Sequence, residues 1–288
     1  MPSSPYAGAF LGAGDGGSRP DTIMLLHIEP DTGHVAILSF PRDLWVPVAG
    51  TNHMSKINSA FDKNDPKRLI ATIQSFFQIQ VDHYISIDFC VFKDLVNAVG
   101  GISIPFLTPL KDNNTGLDVT APGCYKFDGD SALAYARSRH LKYLAPTGKW
   151  TVDDTSDFGR IKRQQDFIRR LMQKVRSKGA LDIGLVTRLI NSFQKRVVVD
   201  ANLTASDMLQ LANALKGFDP ATTRSFIVQG HLTMKGTISV VEPVLTTSRM
   251  QSILAAYRNR LRLADTPAAE KAVEYGNKSI LPDPNGKC

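Results

Sequence analysis

The sequence contains no run of about 20 apolar residues, the length a helix needs to cross a bilayer, so the chain as given carries no membrane span. Met1 to Ala9 has neither the basic flank nor the long apolar stretch of a secretory signal. Cysteine is scarce: Cys90, Cys124 and Cys288 show no CxxC spacing, which argues against a zinc site and a dense disulfide framework. A Cys90–Cys124 bridge and a set of unpaired, mostly buried thiols both stay open. GxxxxGK[ST], HExxH and GxSxG elements are missing as well, which removes the ordinary P-loop ATPase, zinc protease and serine hydrolase readings. There is no internal repeat and no low-complexity segment.

What is present suits a well-cored domain. With 288 residues, 43% hydrophobic and 21% charged, one main domain is expected over 10–240, with 241–288 as a C-terminal helix and polar tail of the same domain. The formal charge of +7, from 34 Lys and Arg against 27 Asp and Glu, suits an anionic partner: nucleic acid, acidic lipid headgroups or a phosphorylated substrate.

Thr22 to Ile28 is almost continuously apolar and reads as a strand buried on both faces, followed by an Asp31-Thr32-Gly33 turn. Val35 to Phe40 reads as its hairpin partner and delivers Pro41-Arg42-Asp43 at its end. Pro66 to Phe77 has helical spacing, Val81 to Phe89 alternates as a strand, and Phe92 to Val99 is a short helix stopped by Gly100-Gly101. Helices are further expected over 128–139, 158–175, 181–199 and 205–215, the last opened by a Thr204–Asp207 capping box, and a late strand over 224–229. Leu141 to Ser156 reads as a long loop or lid, and the tail after Leu263 as poorly ordered. Strand and helix alternate, so the class is α/β.

Arginine offers a planar, permanently charged fork for phosphate oxygens, and Arg42, Arg137, Arg139, Arg160 and Arg163 recur at the ends of predicted elements. Element ends are where α/β proteins build sites. For any one of them, simple interaction with the helix dipole and water is the competing reading. Asp157, Arg160 and Gln164 follow one another at three and four residues, so one helical face presents all three. Asp21 stands directly before the first buried strand and Asp15 six residues earlier in a Gly-rich turn. Hard oxygen ligands near such arginines suit Mg²⁺; a turn residue and a solvated one are the alternatives. Lys56 supplies a further point charge, and His27 inside the strand reads as core.

Arg19-Pro20-Asp21-Thr22-Ile23-Met24-Leu25, Ser39-Phe40-Pro41-Arg42-Asp43, Lys56-Ile57-Asn58, Ala134-Tyr135-Ala136-Arg137-Ser138-Arg139 and Asp157-Phe158-Gly159-Arg160-Ile161-Lys162-Arg163-Gln164-Gln165 together resemble the LytR-CpsA-Psr family of cell-wall phosphotransferases. The resemblance spans roughly residues 10–175. It implies a three-layer α/β/α domain with a central mixed β-sheet and a hydrophobic polyprenyl-binding pocket, to which the apolar faces of 66–77 and 158–175 are candidate contributors. It implies transfer of a glycopolymer from a polyprenyl pyrophosphate carrier to peptidoglycan, with pyrophosphate hydrolysis as a side activity. Asp21 matches the magnesium-binding aspartate, and Arg42, Lys56, Arg137, Arg139, Arg160 and Gln164 match pyrophosphate-contacting positions. Asp43 and Asp157 match supporting carboxylates, either of them a candidate base. The chain departs from the family at its start, where the loop before Asp21 is short, so Asp15 as second ligand is the weakest carry-over.

The loop around Gly148-Lys149-Trp150 resembles actinobacterial members, in which the polymer would be arabinogalactan or a similar wall polysaccharide. Expected partners are the lipid-linked glycopolymer, the peptidoglycan acceptor and the membrane surface, at the extracytoplasmic face, with an N-terminal anchoring helix outside this chain. A non-catalytic polyprenyl-phosphate binding protein or regulator and a lipid pyrophosphatase are the competing readings. A nucleic-acid binder is disfavoured, since no recognition-helix pattern or interleaving of aromatic and basic residues is present.

Overall fold

The computed structural model describes residues 6–14, 20–29, 31–62, 66–177, 197–200, 203–204, 206–207, 210, 218, 222–259, 261–262 and 288; of 6–14 only the backbone is described. Strand β1 (Tyr6–Gly14), which the sequence pattern had not marked, comes first. β2 (Ile23–Ile28) and β3 (Val35–Phe40) are the expected hairpin, antiparallel with Ile23 opposite Phe40 and Ile28 opposite Val35. All twelve of their residues are buried. β4 (Trp45–Pro47) and β5 (Met54–Lys56) form a short second hairpin, followed by α1 (Lys67–Phe77) and β6 (Ile85–Asp88).

Next come α2 (Phe89–Ala98), β7 (Ile102–Phe106), β8 (Leu110–Asp112), β9 (Leu117–Val119), β10 (Gly123–Phe127), α3 (Gly129–Arg137), β11 (Lys142–Leu144), β12 (Trp150–Val152) and α4 (Ser156–Ser177). The chain ends its described elements with β13 (Val198–Val199), β14 (Arg224–Ile227), β15 (Gly230–Lys235), β16 (Ile238–Pro243) and α5 (Ser248–Arg258). These elements divide into two compact units, Met1–Asp88 with Leu181–Glu270, and Phe89–Ala180 with Lys271–Cys288.

The first unit is built on a six-stranded mixed sheet in the order β13-β6-β1-β2-β3-β14. β1 runs parallel to β6 and β14 parallel to β3, while the other pairs are antiparallel. β2 and β3 are interior strands, and their continuous apolar runs are what burial on both faces requires. Against them packs the apolar face of α1, with Leu69, Ile73 and Phe77 buried and the Phe40 and Phe77 rings 5.0 Å apart. Arg258 of α5 donates from Nε to the Phe77 carbonyl at 2.7 Å, satisfying one of the four carbonyls left open at a helix end.

The second unit holds a two-stranded sheet, β10-β7, and a four-stranded one, β12-β11-β8-β9. Its core joins Phe106, Phe127 and Tyr135, with Phe92 against Phe167 at 5.2 Å. α3 starts where expected, because the Asp128 side chain accepts from the Ser131 amide and caps it. α2 stops at Gly100 and Gly101, at φ 77° and 82°. A side chain at Gly101 would stand 2.7 Å from the Phe127 carbonyl, so glycine is demanded by space as well as by dihedral angle.

Three expectations are corrected. The strand expected over 81–89 is only Ile85–Asp88, because the Tyr84 amide donates to the Asp200 carboxylate and Phe89 already opens α2. The loop over 141–156 is a hairpin: β11 and β12 pair with Lys142 opposite Val152, and β11 extends the sheet beside β8. The disulfide joins Cys124 to Cys288, whose Cα atoms lie 5.6 Å apart, and Cys90 is free and exposed. The β15–β16 hairpin was not foreseen at all. Of the helices expected over 181–199 and 205–215, most lies outside the described residues; 198–199 is strand, and Thr204 and Asp207 make the reciprocal cap. The tail after Leu263 lies outside them too, apart from Cys288. Among the described residues no helix is long and apolar enough to cross a membrane.

Candidate functional site

In the first unit, register decides the arrangement. Ile23 opposes Phe40, so Asp21, just before β2, and Arg42, just after β3, are brought side by side. Arg42 Nη1 donates to Asp21 Oδ1 at 2.5 Å. The pairing of Trp45 with Lys56 does the same for the next two charges. Lys56 Nζ lies 2.8 Å from Asp43 Oδ1, and Arg42 Nε 3.6 Å from Asp43 Oδ2. The Asn58 amide donates to the Arg42 carbonyl and the Val241 amide to that of Asp43, fixing this corner from two sides. The result is a row of alternating charge, Asp21, Arg42, Asp43 and Lys56, in which each side chain is 20–26% exposed. Carboxylates that hold the cations leave their direction set before any ligand arrives, which is what an anion site needs.

The second unit carries its charges around the N-terminus of α4. Asp157 stands in its first turn, favoured there by the helix dipole. Arg160 Nη2 lies 2.8 Å from Asp157 Oδ1, and Arg139 Nε, from just beyond α3, 3.6 Å from the same oxygen. Arg160 is fully buried, whereas Arg139 is part-exposed. Gln164 donates from Nε2 to the Ala136 carbonyl at 2.9 Å. Arg137 is exposed, lies over the Phe89 ring at 4.5 Å, and makes no ion pair among the described residues. Gly159 is needed here: a side chain on it would stand 2.0 Å from Thr155 Oγ1 and 3.0 Å from Asp153 Oδ2.

Arg163 is placed differently from the phosphate-contacting position expected of it. It is 1% exposed, its Nη1 lies 3.3 Å from the buried Asp153 carboxylate, and its Nη2 donates to the Ser138 carbonyl. Burial lowers its pKa from the ordinary value, an effect that Tyr135 and Asp153 oppose. Both termini of its fork are engaged inside the protein.

The residue sequence reasoning passed over is Asp112. It is 1% exposed, and its Oδ2 accepts from Ser138 Oγ at 2.7 Å, the Arg139 amide at 3.0 Å and the His140 amide at 2.9 Å; Oδ1 accepts from the Asn114 amide at 2.9 Å. No local signal marked it: β8 is three residues long, and its buried, part-exposed, buried pattern, which turns the carboxylate inward, exists only in the folded chain. Burial raises its pKa, but the hydrogen bonds from Ser138, His140, Asn114 and Arg139 outweigh this and the net shift is downward. A carboxylate whose folded pKa lies below its unfolded value, about 3.9, stabilises the fold above that pH and loses the contribution as pH falls through the folded pKa. The melting temperature should therefore drop more steeply below about pH 4 in the wild type than in Asp112→Asn; parallel curves for the two chains would contradict it.

Asp15 lies outside the described residues. Among those described, no three His, Cys, Asp or Glu side chains gather as a metal site. Asp21 still fits Mg²⁺: the ion takes one or two carboxylates and completes its shell with water and substrate phosphate oxygens, and Asp21 offers part-exposed hard oxygens beside Arg42.

An α/β protein with arginines held by carboxylates at its element ends is suited to a phosphate-bearing ligand. The LytR_cpsA_psr family model matches residues 9–256, and the chain belongs to that family. The match runs through both units. Over 173 residues, 59% of its length, the chain is 36% identical to a probable cell wall biosynthesis protein, LcpB, of Corynebacterium glutamicum. Over 230 residues, 76% of its length, it is 29% identical to the polyisoprenyl-teichoic acid–peptidoglycan teichoic acid transferase TagV of Bacillus subtilis. The two matches span 38% and 55% of those relatives. The fold is that of the TagV crystal structure, with a TM-score of 0.71 at 24% identity over 90% of this chain and 99% of that one. TagT bound to LIIa-WTA has the same fold, with a TM-score of 0.69 at 18% identity over 90% and 91%. The likeness to the Corynebacterium protein agrees with the actinobacterial affinity expected from the sequence.

Proposed function

We propose that the chain is a Mg²⁺-dependent phosphotransferase that moves a glycopolymer from a polyprenyl pyrophosphate carrier to peptidoglycan. The Arg139–Asp157–Arg160 cluster supports this most directly, since one carboxylate aims two arginines from neighbouring elements. Its setting in a family whose relatives are named for teichoic acid transfer to peptidoglycan supplies the rest. A hydroxyl of the wall acceptor attacks the phosphorus nearest the glycan. Its oxygen–phosphorus bond forms, the bond to the polyprenyl phosphate breaks, and polyprenyl monophosphate leaves while the acceptor proton passes to solvent or a carboxylate.

Phosphoryl transfer asks little covalent chemistry of a protein; positioning and neutralisation of charge supply most of the acceleration. Arg42, Lys56, Arg137, Arg139 and Arg160 are assigned to the phosphate oxygens and Gln164 to their orientation. Arg163 is assigned to support of the Ser138 turn. Asp43 and Asp157 each hold two cations, and this orienting role is the one we assign them. Bound at Asp21, Mg²⁺ would neutralise pyrophosphate charge. A hydrophobic pocket for the polyprenyl chain, contact with the membrane surface and action at the extracytoplasmic face complete the reading. The Cys124–Cys288 bridge suits such an oxidising location.

Incubation with geranylgeranyl pyrophosphate, with and without Mg²⁺, should give metal-dependent release of prenyl monophosphate and phosphate, accelerated or diverted when peptidoglycan fragments are added. Binding without turnover in either condition would make the protein a lipid-phosphate carrier. Release that is indifferent to the wall acceptor would make it a pyrophosphatase.

A further inference from the structure

We propose that Asp112 is a positioning residue for Arg139, acting through the backbone of the Ser138–His140 turn. This rests on the assignment of Arg139 to the phosphates made above. α3 ends at Arg137, and the three residues that follow must turn so that Arg139 reaches Asp157. A turn has no ladder or helix to satisfy its amides. Here the amides of Arg139 and His140 and the Ser138 hydroxyl all donate to one oxygen, Asp112 Oδ2, at 2.7–3.0 Å. From the other direction the Ser138 carbonyl accepts from Arg163. The turn is thus gripped through its donors by a buried anion and through its acceptor by a buried cation. Asp112 is itself held by the Asn114 amide at the end of β8, so the sheet transmits its position to the arginine.

An asparagine at 112 keeps the shape but cannot serve all four donors. Its amide nitrogen faces either the Asn114 amide or the Arg139 and His140 amides, and a buried donor is left without an acceptor. The direction of Arg139 then loosens while the guanidinium itself is intact.

A double-mutant cycle separates this from a general loss of structure. With geranylgeranyl pyrophosphate and Mg²⁺, kcat/KM is measured for the wild type, Asp112→Asn, Arg139→Ala and the double variant. Asp112→Asn should lose about tenfold or more, and the double variant should be no worse than Arg139→Ala alone. A double variant that falls by the product of the two single losses overturns the positioning role and leaves the function standing. An Arg139→Ala chain with wild-type turnover instead overturns the assignment of Arg139, and this proposal with it. If the chain binds without turnover, the dissociation constant of the lipid pyrophosphate enters the same cycle. Should Asp112→Asn not fold, Ser138→Ala, which removes one donor of the three and keeps the buried charge, takes its place under the same criterion.

Discussion

Replacing Arg163 with alanine is expected to destabilise the protein by about 3–5 kcal/mol, the range for removing one partner of a buried ion pair. The side chain is 1% exposed, and Asp153 opposite it is 5% exposed. Its removal leaves the Asp153 carboxylate in a low-dielectric setting where, among the described residues, only the Thr155 amide and hydroxyl donate to it. It also leaves the Ser138 carbonyl without its guanidinium donor and opens a cavity of arginine size. Urea denaturation followed by circular dichroism measures the loss. A change below about 1 kcal/mol, the size seen for exposed pairs, would mean that Arg163 is solvated and free to meet a ligand.

Replacing Arg42 with alanine should do the reverse, lowering kcat/KM for lipid pyrophosphate cleavage by about 10²–10³-fold while changing stability by less than about 1 kcal/mol. The Arg42 side chain is 20% exposed, and its partners Asp21 and Asp43 stay hydrated without it. Lysine at the same position keeps the charge and loses the fork, so it should restore only part of the rate. A variant with wild-type turnover would remove Arg42 from the chemistry. Loss of activity together with loss of the folded state would show that the charge row of the first unit serves its architecture instead.

Much of this protein is legible where information is local. The β2–β3 hairpin announces itself in two apolar runs around Asp31-Thr32-Gly33, and its register then delivers Asp21 beside Arg42 without further assistance. Asp157 and Arg160, three apart on one helix, pair as their spacing allows. The α3 boundary follows from the Asp128 cap. Other features depend on partners far along the chain. Arg160 and Arg163 look alike in sequence and both are buried, yet Arg163 pairs with Asp153 and donates to the Ser138 carbonyl while Arg160 pairs with Asp157. Cys124 finds Cys288 across 164 residues rather than the nearer Cys90, because the Cα atoms of the bonded pair are brought within 5.6 Å. The 141–156 segment reads as a polar loop because its strands are only three residues each, too short for alternation to show. Their pairing with each other and with β8 makes them strands.

By itself the amino-acid sequence determined the α/β class, the family, the central hairpin and the identity of the charged side chains, since each is written in hydrophobic period, capping chemistry or a contiguous motif. Only the tertiary structure decided which of those charges hold one another, which carboxylate each buried arginine meets, and that Asp112 holds the turn bearing Arg139. Those outcomes come from strand register and from the burial of carboxylates among amides supplied by distant elements. An ion pair is made by distance and dehydration, and neither is present until the chain has folded.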